Sequence, residues 1–497
     1  MVVGGGGAGL AAAIEAAHAG ASVIVLEKNP ELGGTTRLSV GSVSACCTPH
    51  QRRKGVQDSP QEFFEDMGLF NRQHGLDDSR DNLELRRLAA EKSPRTIEWL
   101  MQMGVEFFGP MPEPPNRHPR MHNVLPNAYA YIYHLARHAR RLGVKFMLGA
   151  RAERLLRAHD RVTGVMVQTA SGGMLEIMAR RAVILASGDY SSNLEMKKSY
   201  MSPQLAEIEG INPTSTGDGH SMALDVGAQV LNGDLCLGPE IRFVAPPRKR
   251  LVSLLPPFAP LAKAMNAVAS RLPARWLRPI ILSFLTTYLA PSPKLFEEGA
   301  ILVNREGRRF VDELTRPAPA ISRQPDRVAY IVFDDRVARR FSEWPYFIST
   351  APGIAYAFLA DYRRNRRDVY AQASTVDGLA RVLGMPTPSL ARTVSDYNGL
   401  VDQGKPDTTF GRAILGPGLK VPPFYALGPA KAWIVVTDGG LAITTRMEVL
   451  GQNGQVIPGL YAAGSAGQGG LLLEAHGMRL CWAFTSGRLA GMTAAAG

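Results

Sequence analysis

The chain has 497 residues, 45% hydrophobic and 20% charged, a mix that fits two or three globular domains and excludes a disordered tail, a fibre or a small cross-linked scaffold. Lys and Arg outnumber Asp and Glu by 56 to 44, for a net +12. Nine of those cations (Arg242, Arg248, Lys249, Arg250, Lys263, Arg271, Arg275, Arg278 and Lys294) fall between Ile241 and Phe296, where there is no acid, so the basicity is local and nucleic acid is not an expected partner.

The chain opens on Met1-Val2-Val3, a strand, and Gly4-Gly5-Gly6-Gly7-Ala8-Gly9 satisfies G-x-G-x-x-G at Gly4, Gly6 and Gly9. An alanine-rich helix over 10–17 follows, then a strand over 21–26 that ends on Glu27. Strand, glycine turn, helix, strand and terminal acid at this spacing form a dinucleotide-binding fingerprint. Gly4 permits the tight turn, Gly6 lets backbone approach a pyrophosphate, and Gly9 lets the helix pack close to the sheet. The free N–H groups of the helix start face the phosphates, and Glu27 is placed to accept from a ribose. Only three residues precede the glycines, where a buried parallel strand usually has about five, so the first strand is expected to be clipped. No basic leader with a cleavage site is visible.

After Lys28 comes a second glycine pair, Gly33-Gly34, then Thr35-Thr36. An extended flavin dinucleotide requires such a close passage of the chain, whereas NAD enzymes have no general need of it; FAD is the expected cofactor. Two later strands, over 181–186 and 458–463, end in the small residues Ala186-Ser187-Gly188 and Gly464-Ser465. No second G-x-G-x-x-G stands in a strand–helix context. The partner exchanging electrons with the flavin is therefore expected to be another small molecule or a protein.

Between them, residues 328–335 read as a buried strand ending in Asp334-Asp335. Residues 375–404 read as helices, with Ser389 as an N-cap and Leu379, Leu383, Leu390 and Val394 spaced for a core face. Cys46, Cys47, Cys236 and Cys481 are too few and too scattered for a disulfide framework or a metal site, and a reducing, cytoplasmic setting is the default. No segment reaches the roughly 18–20 apolar residues of a spanning helix.

In this order the motifs resemble the fumarate reductase/succinate dehydrogenase flavoprotein family, which includes the 3-ketosteroid dehydrogenases. The likeness is carried by residues 2–9 with Glu27, 33–45, 182–188, Thr216-Gly217-Asp218-Gly219, 222–228, 299–310, Pro422-Pro423-Phe424-Tyr425-Ala426, Gly439-Gly440-Leu441 and 457–464. It passes over 245–295. The resemblance implies an α/β fold: a Rossmann-like FAD-binding domain split in sequence (1–235 and 416–497), with an inserted α+β capping domain (236–415) and the substrate at their interface. It implies FAD contacts for Gly7, Ala8, Glu27, Thr36, Gly41, Ser42, Ala186 and Asp218, beside Gly4, Gly6, Gly9, Lys28, Gly34, Thr35, Ser187, Gly188, Gly464 and Ser465 of the turns and strand ends. Members with covalent FAD place a histidine after the glycine pair; residues 35–45 contain none, so non-covalent FAD is expected.

Family members move a hydride between the flavin and one carbon of a carbon–carbon bond, and a proton at its neighbour. In fumarate reductases the arginine of a similar Thr-Arg segment donates the proton; here that is Arg316. Arginine is always protonated and needs a relay, for which Glu313 is the candidate. The same enzymes clamp a dicarboxylate with two histidines and a second arginine. Here Val436 fills one histidine slot, none stands near Gly238-Pro239, and Glu474 occupies the expected place of the arginine. A buried anion without its cations is costly. Fumarate and succinate are therefore not the expected substrates, and a bulky, lipophilic, steroid-like ketone or acid is. His476, with a pKa nearest neutrality, Glu474 and Tyr425 are the acid/base candidates, set against a His476 bonded to backbone or flavin and a Tyr425 that is a core aromatic. His220 reads as a supporting residue.

The segment 245–295 is Pro-rich, with cations punctuating apolar blocks. It reads as a surface for an anionic membrane, as a lid over a lipophilic substrate, or as an enlarged cap with solvated charges. The expected activity is dehydrogenation or reduction of a carbon–carbon bond beside a carbonyl. A flavin oxidase of amines or alcohols, and a non-catalytic flavin-binding protein at a membrane, stay open.

Overall fold

Val2 and Val3 make a strand of two residues, β1, yet they lie near the middle of a six-stranded sheet. The computed structural model describes residues 1–246, 254–351 and 355–497. The other strands used below are β2 (Ile24–Glu27), β3 (Ser42–Ser44), β4 (Glu106–Met111), β5 (Met121–Leu125), β6 (Lys145–Leu148), β7 (Val183–Leu185), β8 (Glu240–Phe243), β9 (Ile301–Val303), β10 (Ala329–Asp334), β11 (Tyr370–Ala373), β12 (Phe424–Trp433), β13 (Glu448–Leu450) and β14 (Val456–Ala462). The helices are α1 (Gly7–His18), α2 (Ala259–Ala269), α3 (Ala274–Leu285), α4 (Val376–Leu383), α5 (Thr387–Asp402) and α6 (Met478–Ala496).

The sheet runs β13-β14-β7-β1-β2-β6. Only β13 is antiparallel. Val25, Val183, Leu185 and Leu460 are fully buried, as strands covered on both faces require. Val2 is level with Val25 on one side and Ile184 on the other, and the Met1 ammonium donates to the Ala182 carbonyl at 2.9 Å. Sheet neighbours thus come from both ends of the chain. The C-terminal helix α6 lies on α1 and on β3. Glycine makes that approach possible: a Cβ at Gly487 or Gly491 would stand 2.3 Å from the carbonyl oxygen of Ala8 or Ala12. A small antiparallel sheet, β3-β5-β4, flanks this domain.

The cap is built on a second antiparallel sheet, β8-β12-β10-β9, with β11 also paired to β12. Every residue of β10 is buried. The ten-residue β12 pairs with β8, β10 and β11, so the chain leaves the cap after Trp433 and not at 416. The expected boundary falls too early because β12 supplies the middle of the cap sheet. Thr375 caps α4, accepting from the Gly378 N–H at 3.0 Å. Ser389 lies inside α5 and is not its N-cap; Pro388, tolerated in a first helical turn, lets the helix begin at Thr387. Leu379, Leu390 and Val394 are core, with Leu383 at its margin.

Glu313 is locked into the cap. One carboxylate oxygen accepts from the Leu302 N–H (3.0 Å) and Arg309 Nε (2.9 Å), the other from Arg309 Nη2 (2.8 Å) and Arg412 Nη1 (3.0 Å). Its acceptor sites are filled, as burial of a carboxylate demands, so it anchors the cap and is not the relay expected for Arg316.

The insertion forms α2 and α3; Arg248, Lys249 and Arg250 lie outside the described residues. Helix α2 packs on β4 and β5, and α3 on the cap helix Leu359–Asn365. Asn266 donates to Glu106 Oε1 (2.6 Å) and the Phe107 carbonyl (3.0 Å). Arg278 makes a two-pronged bond to Asp361 (3.1 and 2.8 Å). The insertion therefore ties the two domains together. Among the described residues, no helix is long and apolar enough to cross a membrane.

Replacing Arg412 with Met removes one partner of a fully buried ion pair, a change that typically costs about 3–5 kcal/mol. Urea unfolding followed by tryptophan fluorescence is expected to show that loss while FAD stoichiometry stays normal.

Candidate flavin-binding and active site

A cleft with about 610 Å³ of open space lies where the carboxyl ends of β1, β2, β7 and β14 converge, the usual ligand position in such sheets. Gly4, Gly6, Gly7 and Ala8 line it, with Glu27, Lys28, Gly34, Thr35 and Thr36, then Ala186, Ser187 and Gly188, and Gly464 with Ser465. Gly4 holds φ at +107°, and a Cβ there would sit 2.3 Å from the Ala186 carbonyl oxygen. Gly9 lies behind the turn, where a Cβ would meet the Gly4 oxygen at 1.9 Å. Gly6 is the opposite case: its Cβ position meets no protein atom nearer than 3.8 Å.

These features fit an anionic dinucleotide. Helix α1 starts at the cleft without a side-chain cap, leaving N–H groups for phosphate oxygens. Ser187 Oγ is buried in the cleft wall with no hydrogen-bond partner. Glu27 accepts from the Gly5 N–H at 2.7 Å and from the backbone and side chain of Asn29 at 2.9 Å, which leaves one lone pair of its four for a ligand hydroxyl.

Three expected contacts are engaged elsewhere. The Gly41 carbonyl accepts from the Tyr131 hydroxyl at 2.8 Å, and Ser42 donates to Asn123 Oδ1 at 2.6 Å. Asp218 pairs with Lys28 (2.7 Å) and Arg151 (3.1 Å); burial pushes its carboxyl up, but these cations outweigh that and hold it below the usual range. Conversely, Asn29, Asn212, Thr214 and Ser215 line the cleft without having been expected to. Asn212 donates to Thr35 Oγ1 at 2.8 Å. The Asn-Pro-Thr-Ser turn has no glycine pattern to betray it.

The second half of the site is the loop that leads into α6. His476 Nδ1–H donates to Glu113 Oε1 at 2.5 Å, and the His476 backbone N–H reaches the same oxygen at 3.0 Å. Glu113 is buried and its other oxygen has no partner. Half of the His476 side chain is bare although protein surrounds it on most sides. Burial pulls the imidazole down, but the hydrogen bond and charge of Glu113 more than offset this, so the pKa lies above the ordinary value. Ser44 Oγ donates to the His476 carbonyl at 2.5 Å, which seats the loop on β3. From the cap, Glu240 and Arg242 of β8 act on His476 electrostatically. Nothing in the sequence around Glu113, a Pro-rich stretch, marked it as a partner.

An arginine also reaches this region, where none was expected. Gly477, at φ +83°, caps α6, and the first helical turn brings Arg479 back beside Glu474. Arg479 Nη1 lies 2.5 Å from Asp438 Oδ1 and Nη2 3.5 Å from Glu474 Oε1. Gln468 donates to Asp438 at 2.8 Å. Burial and then the charge of Asp438 push Glu474 up, against the pull of Arg479.

The remaining candidates lie elsewhere. Tyr425, on β12, stacks on Phe333 (5.6 Å between centroids) and donates to Asp335 Oδ1 at 3.0 Å. It is a core aromatic of the cap, pushed up to about 12 by burial and by Asp335, and not an active-site base. His220 is fully buried, bonds the Gly439 carbonyl at 3.0 Å and is lowered to about 4 by burial; it braces the turn that carries Asp438. Arg316 is exposed on the cap, at φ +21° before Pro317. Among the described residues it makes no hydrogen bond or ion pair.

A parallel sheet with this glycine turn, an uncapped helix start and an inserted cap defines a flavin dinucleotide-binding protein. The chain matches the family described as FAD binding domain over residues 1–240 and 290–476, and it belongs to that family. It is 30% identical over 505 residues to a fumarate reductase (cytochrome) of Shewanella frigidimarina, covering 100% of this chain and 76% of that protein. Among solved structures, the open conformation of a flavocytochrome c3 fumarate reductase matches with a TM-score of 0.71 at 29% identity, over 100% of this chain and 77% of that one. The 3-ketosteroid-delta4-(5alpha)-dehydrogenase of Rhodococcus jostii RHA1, in complex with 4-androstene-3,17-dione, matches with a TM-score of 0.58 at 25% identity, over 99% and 96%. The protein is an FAD-dependent oxidoreductase acting on carbon–carbon bonds, which sets aside the non-catalytic reading.

The open space at Gly6 separates binding from folding. Gly6→Val is expected to leave the far-ultraviolet spectrum and melting of the apoprotein unchanged while weakening FAD retention at least ten-fold. Gly9→Val, with its Cβ against the Gly4 carbonyl, is expected to lower both.

Proposed function

We propose that the protein interconverts a single and a double carbon–carbon bond beside the carbonyl of a bulky, apolar, uncharged substrate, with His476 handling the proton. The observation that carries the uncharged substrate is the state of Arg479. Its guanidinium is already held by Asp438 and Glu474, so among the described residues this arginine is not free for a substrate carboxylate. By the family resemblance Val436 takes one histidine slot of a dicarboxylate clamp, and no histidine stands near Gly238-Pro239. An acid brought to this place would meet Asp438, Glu474 and Glu240 and remain uncompensated. The likeness to a 3-ketosteroid dehydrogenase supports the same reading.

FAD, when bound, supplies the hydride chemistry. The chain supplies position and the proton. Glu113 fixes the His476 ring with Nδ1–H toward the carboxylate, and Nε2, on a half-exposed side chain, makes no hydrogen bond among the described residues. Because Glu113 stabilises the imidazolium, His476 is an acid near neutrality: it gives a proton to the carbon beside the carbonyl in the reductive direction, and takes it back in the reverse. The FAD is held without a covalent link, since residues 35–45, just after the glycine pair, contain no histidine. Acid precipitation is expected to leave a colourless pellet and all the flavin in solution.

The acid works below its pKa and fails as pH rises through it. With His476 raised, reductive turnover is expected to persist past the ordinary histidine range and then fall. Glu113→Gln removes the charge that holds His476 up, so the fall moves to lower pH. His476→Gln should cost about 10²–10⁴-fold in kcat, the typical worth of a positioned acid, with flavin content unchanged. If Arg316→Ala abolishes turnover and His476→Gln does not, the proton belongs to Arg316. Flavin absorbance under anaerobic conditions tests the substrate class: steroid enones or their saturated ketones should change it, and fumarate or succinate should not.

A further inference from the structure

We propose that the outer face of the insertion, α2 and α3, docks the protein on an anionic lipid bilayer. A helix on a protein surface ordinarily turns its apolar stripe inward and its polar side to water. Helix α2 departs from that pattern on its outer side: Ala262 is buried and Asn266 bonds β4, while Ala264, Ala267 and Val268 are exposed beside Lys263, Val268 at 57%. Before it Phe258 is half exposed, and after it come Leu272 and, on α3, Trp276 at 63% and Ile281. A second exposed tryptophan, Trp344, lies against the Tyr356 ring (5.1 Å between centroids), whose backbone carbonyl accepts from Arg278 of α3. The insertion thus exposes Leu254, Phe258, Val268, Leu272, Trp276 and Ile281; large exposed apolar side chains gathered in one segment mark an interaction surface, and amphipathic tryptophans suit the headgroup level of a bilayer.

Charge selects the occupant. Lys263 and Arg271 are exposed within this face and make no ion pair among the described residues; Arg363 and Arg364, on the cap helix packed against α3, are likewise exposed and unpaired. The segment from Ile241 to Phe296 holds nine cations and no acid. Two copies of such a face would repel each other, which disfavours self-association through it, whereas an anionic lipid surface attracts it. The family match passes over 241–289, so this face is an addition to the common fold. The inference rests on the insertion and the cap residues beside it, and not on the substrate proposed above.

The test is co-sedimentation of the FAD-loaded protein with vesicles of phosphatidylcholine, alone or mixed equally with phosphatidylglycerol. The protein is expected to bind the mixed vesicles at least ten-fold better than the neutral ones, and to lose most of that binding when sodium chloride rises from 50 to 500 mM. A Phe258→Ser/Val268→Ser/Trp276→Ser variant should keep its flavin and melting temperature and lose binding at least ten-fold. Lys263→Glu/Arg271→Glu should do the same through charge. Failure of the unaltered protein to bind the mixed vesicles overturns the proposal, as does binding that neither variant weakens. A dimer in solution that the triple variant splits also overturns it, since the face would then belong to a second copy.

Discussion

Backbone segments from distant parts of this chain approach more closely than any side chain allows, and the rest of the molecule depends on that contact. The Gly4 turn touches the end of β7, Gly9 folds under the same turn, and Gly487 and Gly491 let α6 rest on α1. Residues separated by hundreds of positions are thereby fixed around one cleft. The His476 loop, which runs straight into α6, inherits its position from the same packing. Close backbone packing, more than any polar contact, brings the nucleotide turn and the His476 loop to the same side of the sheet.

What was legible in the sequence follows from this. Glycines at a turn carry their reason locally, because a tight bend and a bare backbone leave a mark within six residues. The cleft walls at Gly4–Ala8, Glu27, Gly34–Thr36, Ala186–Gly188 and Gly464 could therefore be read directly. The cap boundary was misread because β12 is apolar enough for either domain, and only pairing with β8, β10 and β11 assigns it. Tyr425 was offered as a base on the strength of its neighbours in sequence, while its partners Phe333 and Asp335 are long-range. Glu113 and Arg479 were missed for complementary reasons. Glu113 lies in a Pro-rich loop without a pattern, and Arg479 is displaced from Glu474 by one helical turn that only the α6 start reveals.

The two ionic constellations of the site do different work. Arg479 is balanced by two carboxylates, Asp438 and Glu474, so its charge is compensated within the protein. His476 is balanced by one carboxylate, and its remaining nitrogen is free toward open space. A buried charge that is fully compensated is a scaffold, and one whose charge depends on a transferable proton is a reagent. Glu313 in the cap, with every acceptor site filled, is the first kind as well, which is why a relay through it would have to break four hydrogen bonds before moving a proton.

The insertion adds a mechanical link to this arrangement. Helix α2 sits on β4, and the loop leaving β4 carries Glu113; helix α3 sits on the cap, which also presents β8 to His476. The insertion therefore bridges the strand that leads to Glu113 and the domain whose β8 faces His476. Helix α2 is held on the small sheet by the buried Ala262 and by the two hydrogen bonds of Asn266 to β4. Its outer side keeps Ala264, Ala267 and Val268 exposed beside Lys263, so the residues that hold the helix and those that face outward are separate sets.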